Sequence, residues 1–149
     1  MTVRRVIGVL LFMSATSLGV VGAITTPSSH SADLIEAPTS IYEFFAADTG
    51  VQCEIGRADT SWVDRDYAYC QSVSANISVS FKKGGAPKVC DNRMSCLGNP
   101  GLNTPRLRVG QTVHSGGITC VIFRSNVTCH DMAANGFMMT RNRISPLLP

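Results

Sequence analysis

Six cysteines are the residues of this chain whose chemistry is easiest to specify. Cysteine thiols either pair by oxidation or bind zinc, and zinc sites carry ligands in a CxxC or HxxxH-type spacing. No such spacing occurs here. An even number of cysteines fits a disulfide framework instead, provided that the chain is exported. The six are Cys53, Cys70, Cys90, Cys96, Cys120 and Cys129.

One cysteine pairing follows from the geometry of a predicted hairpin. Residues 117–123 and 126–130 have the pattern of two strands around Arg124 and Ser125. A symmetric turn there places Cys120 opposite Cys129 in a non-hydrogen-bonded pair. The Cα atoms of such a pair lie about 4.5 Å apart, within the range of a disulfide. Proximity in sequence then assigns the other two pairs as Cys53–Cys70 and Cys90–Cys96.

Histidines and carboxylates are the candidates for hydrolytic chemistry. His130 precedes Asp131, and with a serine brought close in space either His130 or His114 could complete a Ser-His-Asp triad. No G-x-S-x-G motif supports this, so a solvent-facing His130 is the simpler interpretation. Glycosidase chemistry needs two carboxylates, and this chain has four candidates close in sequence. The simpler interpretation of these four is a solvated surface. The candidates are Glu54, Asp59, Asp64 and Asp66. We therefore assign no catalytic residue, metal ligand or cofactor.

A stretch from Glu54 to Tyr69 is the best candidate for a binding site. It is predicted to be a loop whose ends a disulfide pins, and it places Trp62, Tyr67 and Tyr69 among charged residues. Aromatic rings with polar neighbours suit protein partners or sugars. The alternative is that Trp62 fills the core beneath the loop. The expected partner is an extracellular or envelope protein or a glycan.

The N-terminus has the order of a secretory signal peptide. Arg4 and Arg5 precede an uncharged run from 6 to 21, and a small-residue cleavage pattern ends at Ala23. We expect cleavage before Ile24, with residues 1–23 as the signal. An uncleaved anchor formed by residues 6–23 is the alternative, and it would be the only contact with a membrane. Residues 24–40 are rich in Ser, Thr and Pro, which predicts a flexible linker before a single domain at 41–149.

The charge balance argues against nucleic acid as a partner. The chain has 13 basic and 10 acidic residues, and removal of Arg4 and Arg5 with the signal leaves 11 basic against 10 acidic, a net charge of +1. Affinity for phosphate backbones grows with the number of Lys and Arg contacts, so a nearly neutral domain is a poor binder of polyanions.

Alternating polarity predicts that the domain is mostly strand. Residues 73–81 alternate apolar with Ser or Asn, which places Val73, Ala75, Ile77, Val79 and Phe81 on one buried face. Residues 41–47 could form a helical turn. The pattern predicts an all-β, mainly antiparallel domain, a small disulfide-stapled sandwich or open barrel. Further short strands are expected at 51–55, 86–90, 107–109, 111–114 and 137–140.

Seven short motifs follow one another along the chain: DTGVQCEI (48–55), YCQ (69–71), CLGNPG (96–101), LRVG (107–110), ITC (118–120), VTC (127–129) and NGFMMTR (135–141). In this order they resemble a family of small exported six-cysteine proteins from actinobacteria, mostly mycobacteria, of uncharacterised function. The resemblance spans roughly residues 42–144 and implies an exported envelope protein with local cysteine pairs and no catalytic role. This chain departs from the family at the tight turn of residues 124–126 and before Cys120, where the family places an aromatic residue. Together with the composition, the motifs favour a non-catalytic binding domain, with a secreted hydrolase as the alternative.

Overall fold

The computed structural model describes residues 33–58, 64–91, 96–99, 101 and 103–147, which form strands and no α-helix. The strands are β1 (Leu34–Glu36), β2 (Ile41–Ala46), β3 (Val51–Gly56), β4 (Tyr67–Ser72), β5 (Ile77–Lys82), β6 (Lys88–Asp91), β7 (Arg106–Leu107), β8 (Thr112–Ser115), β9 (Ile118–Ile122), β10 (Val127–Asp131), β11 (Gly136–Met139) and β12 (Ile144–Leu147). The signal segment and residues 24–32 of the expected linker lie outside the described residues.

These strands form two sheets of six strands each. Sheet I has the order β6-β5-β4-β3-β2-β7, and sheet II has the order β1-β8-β9-β10-β11-β12. Pairing is antiparallel except between β1 and β8 and between β2 and β7. Among the described strands each sheet ends in two edge strands, so the fold is two open sheets and not a closed barrel. The predicted all-β, mainly antiparallel class is confirmed.

The core lies between the two sheets because alternate residues of each strand point inward. In β3, Val51, Cys53 and Ile55 are buried while the residues between them face outward. Sheet II contributes Phe137, whose ring packs edge-on against Phe81 of β5 at 6.5 Å between centroids. The sandwich therefore buries one face of each sheet and leaves two outer faces to solvent.

All three predicted disulfides are present. Cys53–Cys70 joins facing residues of β3 and β4, and Cys120–Cys129 joins facing residues of β9 and β10, each with Cα atoms 4.1 Å apart. These two bridges meet in the core, where the Sγ atoms of Cys70 and Cys129 lie 4.0 Å apart. Since these sulfurs are already bonded, they offer no thiolate to a metal. Three disulfides indicate an oxidising, extracellular environment.

The third bridge, Cys90–Cys96, fastens an edge of the sandwich instead of its core. It links β6 to the segment that begins at Cys96, with Cα atoms 5.5 Å apart. The two residues flank a short stretch of which residues 92–95 lie outside the described residues. This bridge holds residues 96–99 over the outer face of sheet I, where the hydroxyls of Tyr69 and Ser78 donate to the carbonyl of Cys96.

Two of the predicted elements are wrong. Residues 41–47 are not a helical turn, because Ile41–Ala46 forms β2, paired along its whole length with β3. The strand predicted at 73–81 begins only at Ile77, and Val73 is 63% exposed. The reason is Asn76, whose φ of 56° lies in the left-handed region and interrupts the extended chain.

Strand structure also appears where none was expected. Leu34–Glu36, within the predicted linker, forms β1 and pairs with β8, so the ordered domain begins before residue 41. Tyr67–Ser72 and Ile144–Leu147 form β4 and β12. The last strand contains Pro146, a residue type that argues against strand structure in a sequence. Pro146 is tolerated because β12 lies at the edge of sheet II.

Candidate ligand-binding face

The outer face of sheet I, which we call the polar face, is formed by the outward residues of its strands. The register places Glu43 beside Glu54, Glu54 beside Tyr69 and Tyr69 beside Ser80. Lys88 follows Ser80 on the edge strand. A single row across five strands therefore runs from two carboxylates through an aromatic ring and a hydroxyl to an ammonium group.

Both ends of the predicted binding loop are strand. Tyr67 and Tyr69 lie on β4, and Glu54 lies on β3, so these side chains stand on the sheet and not on a loop. Trp62 lies outside the described residues, and its role as a binding residue stays a prediction. Tyr67 and Tyr69 are both half-buried on the polar face. The structure therefore brings two of the three predicted aromatic residues together, on a rigid support.

Gly56 allows the ring of Tyr67 to lie across β3. A Cβ atom built on Gly56 would be 2.3 Å from Cε1 of Tyr67 and 2.8 Å from its Cζ. The ring reaches past this gap, and the Tyr67 hydroxyl donates a hydrogen bond to Oε1 of Glu54. Burial and this hydrogen bond raise the pKa of Tyr67, so its hydroxyl remains a donor at neutral pH.

The close approach at Gly56 gives a testable prediction. Gly56→Ala should lower the free energy of unfolding by about 1–3 kcal/mol, because the new methyl group forces the Tyr67 ring away and breaks its bond to Glu54. Gly98→Ala is the matched control, since its Cβ atom would meet no atom closer than 3.5 Å. We expect the control to change stability by less than about 0.5 kcal/mol in urea denaturation. Equal effects would contradict the role of Gly56.

Two carboxylates face each other on the polar face. Glu43 and Glu54 are direct partners in the β2–β3 register, an arrangement of like charges that is normally unfavourable. Hydrogen-bond donors hold both carboxylates in place. The Tyr67 hydroxyl donates to Glu54, and the backbone amide of Gly101 donates to Glu43 at 2.7 Å. The hydroxyl of Thr104 lies 3.4 Å from the same Glu43 oxygen. The fold thus maintains a pair of acceptors that simple stability does not require.

Residues 96–99, which we call the strap, cross the polar face beside this pair. The Tyr69 hydroxyl donates to the carbonyl of Cys96 at 2.7 Å, and the amide of Gly98 donates to Oε1 of Gln71 at 2.7 Å. The Ser78 hydroxyl also donates to the carbonyl of Cys96, at 2.7 Å. Since the Cys90–Cys96 bridge fixes its first residue, the strap is held by both covalent and hydrogen bonds.

A depression of about 130 Å³ lies between the strap and the carboxylate pair. Gln71 is 3% exposed, and both ends of its side-chain amide form hydrogen bonds. Its oxygen accepts from the amide of Gly98, and its nitrogen donates to the carbonyl of Gly98 and to Oε1 of Gln52. Within the described part of the chain, no hydrogen bond engages the amide nitrogen of Gln52 or the side chain of Asn99, so these groups are open to a ligand. The polar side chains lining the depression are Glu43, Gln52, Glu54, Tyr69, Gln71 and Asn99.

The remaining carboxylate candidates are engaged elsewhere. Asp64 forms an exposed ion pair with Lys82 at 2.5 Å, and that hydrogen bond lowers the pKa of Asp64. Burial acts to raise the pKa of Asp66, but the amides of Ala58 and Gly117, with Lys83, outweigh burial and lower it. Asp66 therefore ties β4 to the β8–β9 turn. Asp59 lies outside the described residues.

The two histidines that the structure describes, His114 and His130, do not bond to a carboxylate side chain. Nδ1 of His114 lies 3.0 Å from the Thr119 hydroxyl, and Nδ1 of His130 lies 3.0 Å from the backbone oxygen of Asp131. His130 and the Asp131 side chain sit on opposite faces of β10, since Asp131 points inward. The Asp131 carboxylate instead accepts hydrogen bonds from backbone amides. The alternative of a Ser-His-Asp triad therefore has no hydrogen bond between a histidine and a carboxylate side chain among the described residues.

Comparison with known proteins adds no relative. Neither a family model, a curated protein nor a solved structure matches this chain. In the described part of the chain, no helix has the length and apolar character needed to cross a membrane. The function must therefore be argued from the side chains themselves.

Sequence reasoning did not identify most of the depression. Glu43 lies in a segment whose sequence also fits a helical turn, and Gln52 and Gln71 are isolated polar residues in apolar surroundings. The usable signal was the alternation in β3, where Gln52 and Glu54 separate buried residues. That alternation identifies outward positions, but only the register shows that they share a site.

Proposed function

We propose that this protein is exported to the cell envelope or beyond it and binds a saccharide there without transforming it. Export is supported by the order of charged, apolar and small residues at positions 1–23 and by the three disulfides. The resemblance to exported actinobacterial proteins agrees with this location. The ligand site that we propose is the depression on the polar face.

The observation that carries the proposal is the facing pair Glu43 and Glu54 beside amide groups with unused hydrogen-bonding capacity. Sugar hydroxyls donate to carboxylates and accept from amides, and both kinds of partner line the depression. Tyr69 adds an aromatic ring whose hydroxyl is already satisfied by the strap. A hydroxyl-rich ligand therefore matches this chemistry better than an apolar one.

Glycoside hydrolysis is the second candidate, and the same carboxylate pair favours it. Facing residues of antiparallel strands have Cβ atoms about 4.5–5.5 Å apart, and retaining glycosidases hold their two carboxyl groups about 5–5.5 Å apart. One of the two must donate a proton, however. Glu54 accepts from Tyr67 and Glu43 accepts from Gly101, and neither carboxyl group donates a hydrogen bond to a residue that the structure describes. Binding without hydrolysis is therefore the better-supported function.

The test is a titration of the purified protein with neutral and acidic oligosaccharides, followed by calorimetry. For a saccharide that binds, Glu54→Gln should weaken the affinity about tenfold or more, because a charged acceptor of a ligand hydroxyl is lost. Glutamine keeps an oxygen for Tyr67, so the fold should be retained. Thr128→Ala, on the outer face of sheet II, is the control and should leave the affinity unchanged.

Three outcomes would overturn the proposal. If no saccharide binds, the depression is not a sugar site. If Thr128→Ala weakens binding as much as Glu54→Gln, the ligand does not use the polar face. If the wild-type protein releases new reducing ends and Glu54→Gln does not, the hydrolase replaces the binding domain as the function.

A further inference from the structure

A second cavity, which we call the basic groove, lies on the same outer face. Its volume is about 310 Å³, which reaches the lower end of the range of ligand pockets, roughly 300–1,000 Å³. The depression, at about 130 Å³, is smaller than that range. Side chains that line the groove include Arg65, Tyr67, Ser80, Lys82, Ala86 and Lys88.

Three of these groove residues are cations on exposed positions. Lys82 pairs with Asp64, an exposed contact of little energetic value. Arg65 and Lys88 form no ion pair within the part of the chain that the structure describes. The groove therefore carries an excess of positive charge above a partly apolar lining that includes Tyr67 and Ala86. This is a suitable site for an anionic group attached to a ring.

The basic groove and the depression are adjacent, with two tyrosines of β4 at their border. Tyr67 lines the groove while its hydroxyl bonds to Glu54 in the depression. Tyr69 lines the depression and faces Ser80, which lines the groove. A ligand too large for the depression alone can therefore extend into the groove without leaving the polar face.

We propose that the basic groove binds the carboxylate or phosphate of an acidic saccharide whose neighbouring uncharged ring lies in the depression. This inference rests on the proposed function and names its ligand class. Arg65 and Lys88 contact the anionic group, and Lys82 supports them from the same rim. Glu54 and Gln52 accept from and donate to the hydroxyls of the next ring.

The charge distribution limits how many negative charges the ligand carries. Glu43 and Glu54 stand at one end of the row and Lys88 at the other. A polyanion such as a nucleic acid would place negative groups against the two carboxylates, which is unfavourable. An anionic lipid surface would meet the same carboxylates. A short saccharide with one anionic residue fits both ends.

The experiment compares one disaccharide in several chemical forms. The probes are a disaccharide of glucuronate and N-acetylglucosamine, its carboxyl methyl ester, and the corresponding disaccharide with a 6-phosphate on the first sugar. Calorimetry with the purified protein should give affinities at least about tenfold higher for a charged form than for the ester, as expected for a charge-assisted contact. The difference should shrink at high salt.

Paired substitutions separate the groove from a general charge effect. Arg65→Gln with Lys88→Gln should reduce the affinity for the charged forms to that of the ester and leave ester binding unchanged. Arg124→Gln with Arg143→Gln removes the same charge from exposed positions on the sheet II side and should change neither. Thermal unfolding of both variants should match the wild type, since all four residues are exposed.

Other results would overturn the inference in distinguishable ways. If the ester binds as tightly as the charged forms, the groove has no part in binding while the saccharide proposal stands. If neither form binds while a neutral oligosaccharide does, this inference fails and the saccharide proposal stands. If vesicles of phosphatidylcholine and phosphatidylglycerol bind through Arg65 and Lys88 and the disaccharides do not, the ligand is a lipid surface and not a saccharide.

Discussion

Replacing Cys53 and Cys70 together by alanine is expected to lower the free energy of unfolding by about 4–5 kcal/mol. Closing a loop across a sequence separation of 17 constrains the unfolded chain by about 3 kcal/mol. Each substitution also removes a sulfur from the core, where the two cysteines are 2% and 0% exposed. The cavity adds about 1 kcal/mol for each methyl-sized void.

The peripheral bridge provides the comparison for this prediction. Replacing Cys90 and Cys96 together should cost only about 2 kcal/mol, because the sequence separation is 6 and Cys90 is not fully buried. The same change frees the first residue of the strap, so saccharide affinity should fall while most of the stability remains. Guanidinium denaturation under non-reducing conditions gives both values. Equal losses for the two pairs would show that burial in the core adds nothing.

The disulfide framework and the hairpin register were predictable because both follow from local spacing. A symmetric turn around Arg124 and Ser125 places Cys120 opposite Cys129, and the structure has that register. The backbone also closes as predicted, since the amide of Phe123 donates to the carbonyl of Asn126. Alternation was sufficient to identify strands such as β3, because one of its faces is buried.

The errors occurred where local pattern and tertiary context disagree. Ile41–Ala46 contains too few residues for alternation to exclude a helical turn, and pairing with β3 decides its conformation. Val73 continues an apparent alternation across Asn76, but residues 73–76 form the turn between β4 and β5, in which Asn76 is left-handed. Methionines show the same limit, since Met139 is buried in the core while Met132 is 92% exposed.

The depression could not be read from sequence for a different reason. Its residues come from β2, β3, β4 and the strap, and their proximity depends on two registers and on one disulfide. Glu43 and Glu54 are 11 positions apart, and nothing in the intervening sequence indicates that they face each other. Binding sites on sheet faces are therefore found from strand register and not from motif spacing.

Asp131 connects the two sheets at one end of the sandwich. It is the last residue of β10 in sheet II, yet Oδ2 accepts a hydrogen bond at 2.9 Å from the amide of Gly84, in the turn after β5 of sheet I. Oδ1 accepts from the amides of Ala133 and Asn135 at 2.9 and 3.0 Å. Burial acts to raise the pKa of Asp131, but these donors outweigh burial and lower it below 3.8.

The sign of the pH dependence follows from that shift. A carboxyl group whose pKa is lower in the folded state stabilises the fold above its unfolded value and loses this contribution as the pH falls through the folded value. Asp66 has a lowered pKa for the same reason and joins β4 to the β8–β9 turn. The wild-type protein should therefore lose stability progressively below about pH 4.

Asp131→Asn should lower the free energy of unfolding by about 2–3 kcal/mol at pH 7. The side-chain amide nitrogen of Asn takes the place of one carboxylate oxygen, so a backbone N–H that donated to that oxygen loses its acceptor. The variant should also lose less stability than the wild type between pH 5 and pH 2, since the group whose ionisation favoured folding is gone. Asp91→Asn, on the exposed edge strand β6, should change stability by less than about 0.5 kcal/mol at pH 7 and keep the wild-type fall in acid. Guanidinium denaturation at each pH measures these differences. The contrary result is an Asp131→Asn variant that is destabilised at pH 7 but whose stability falls as steeply in acid as that of the wild type. That result would assign the acid sensitivity to Asp66 and to its contact with the β8–β9 turn.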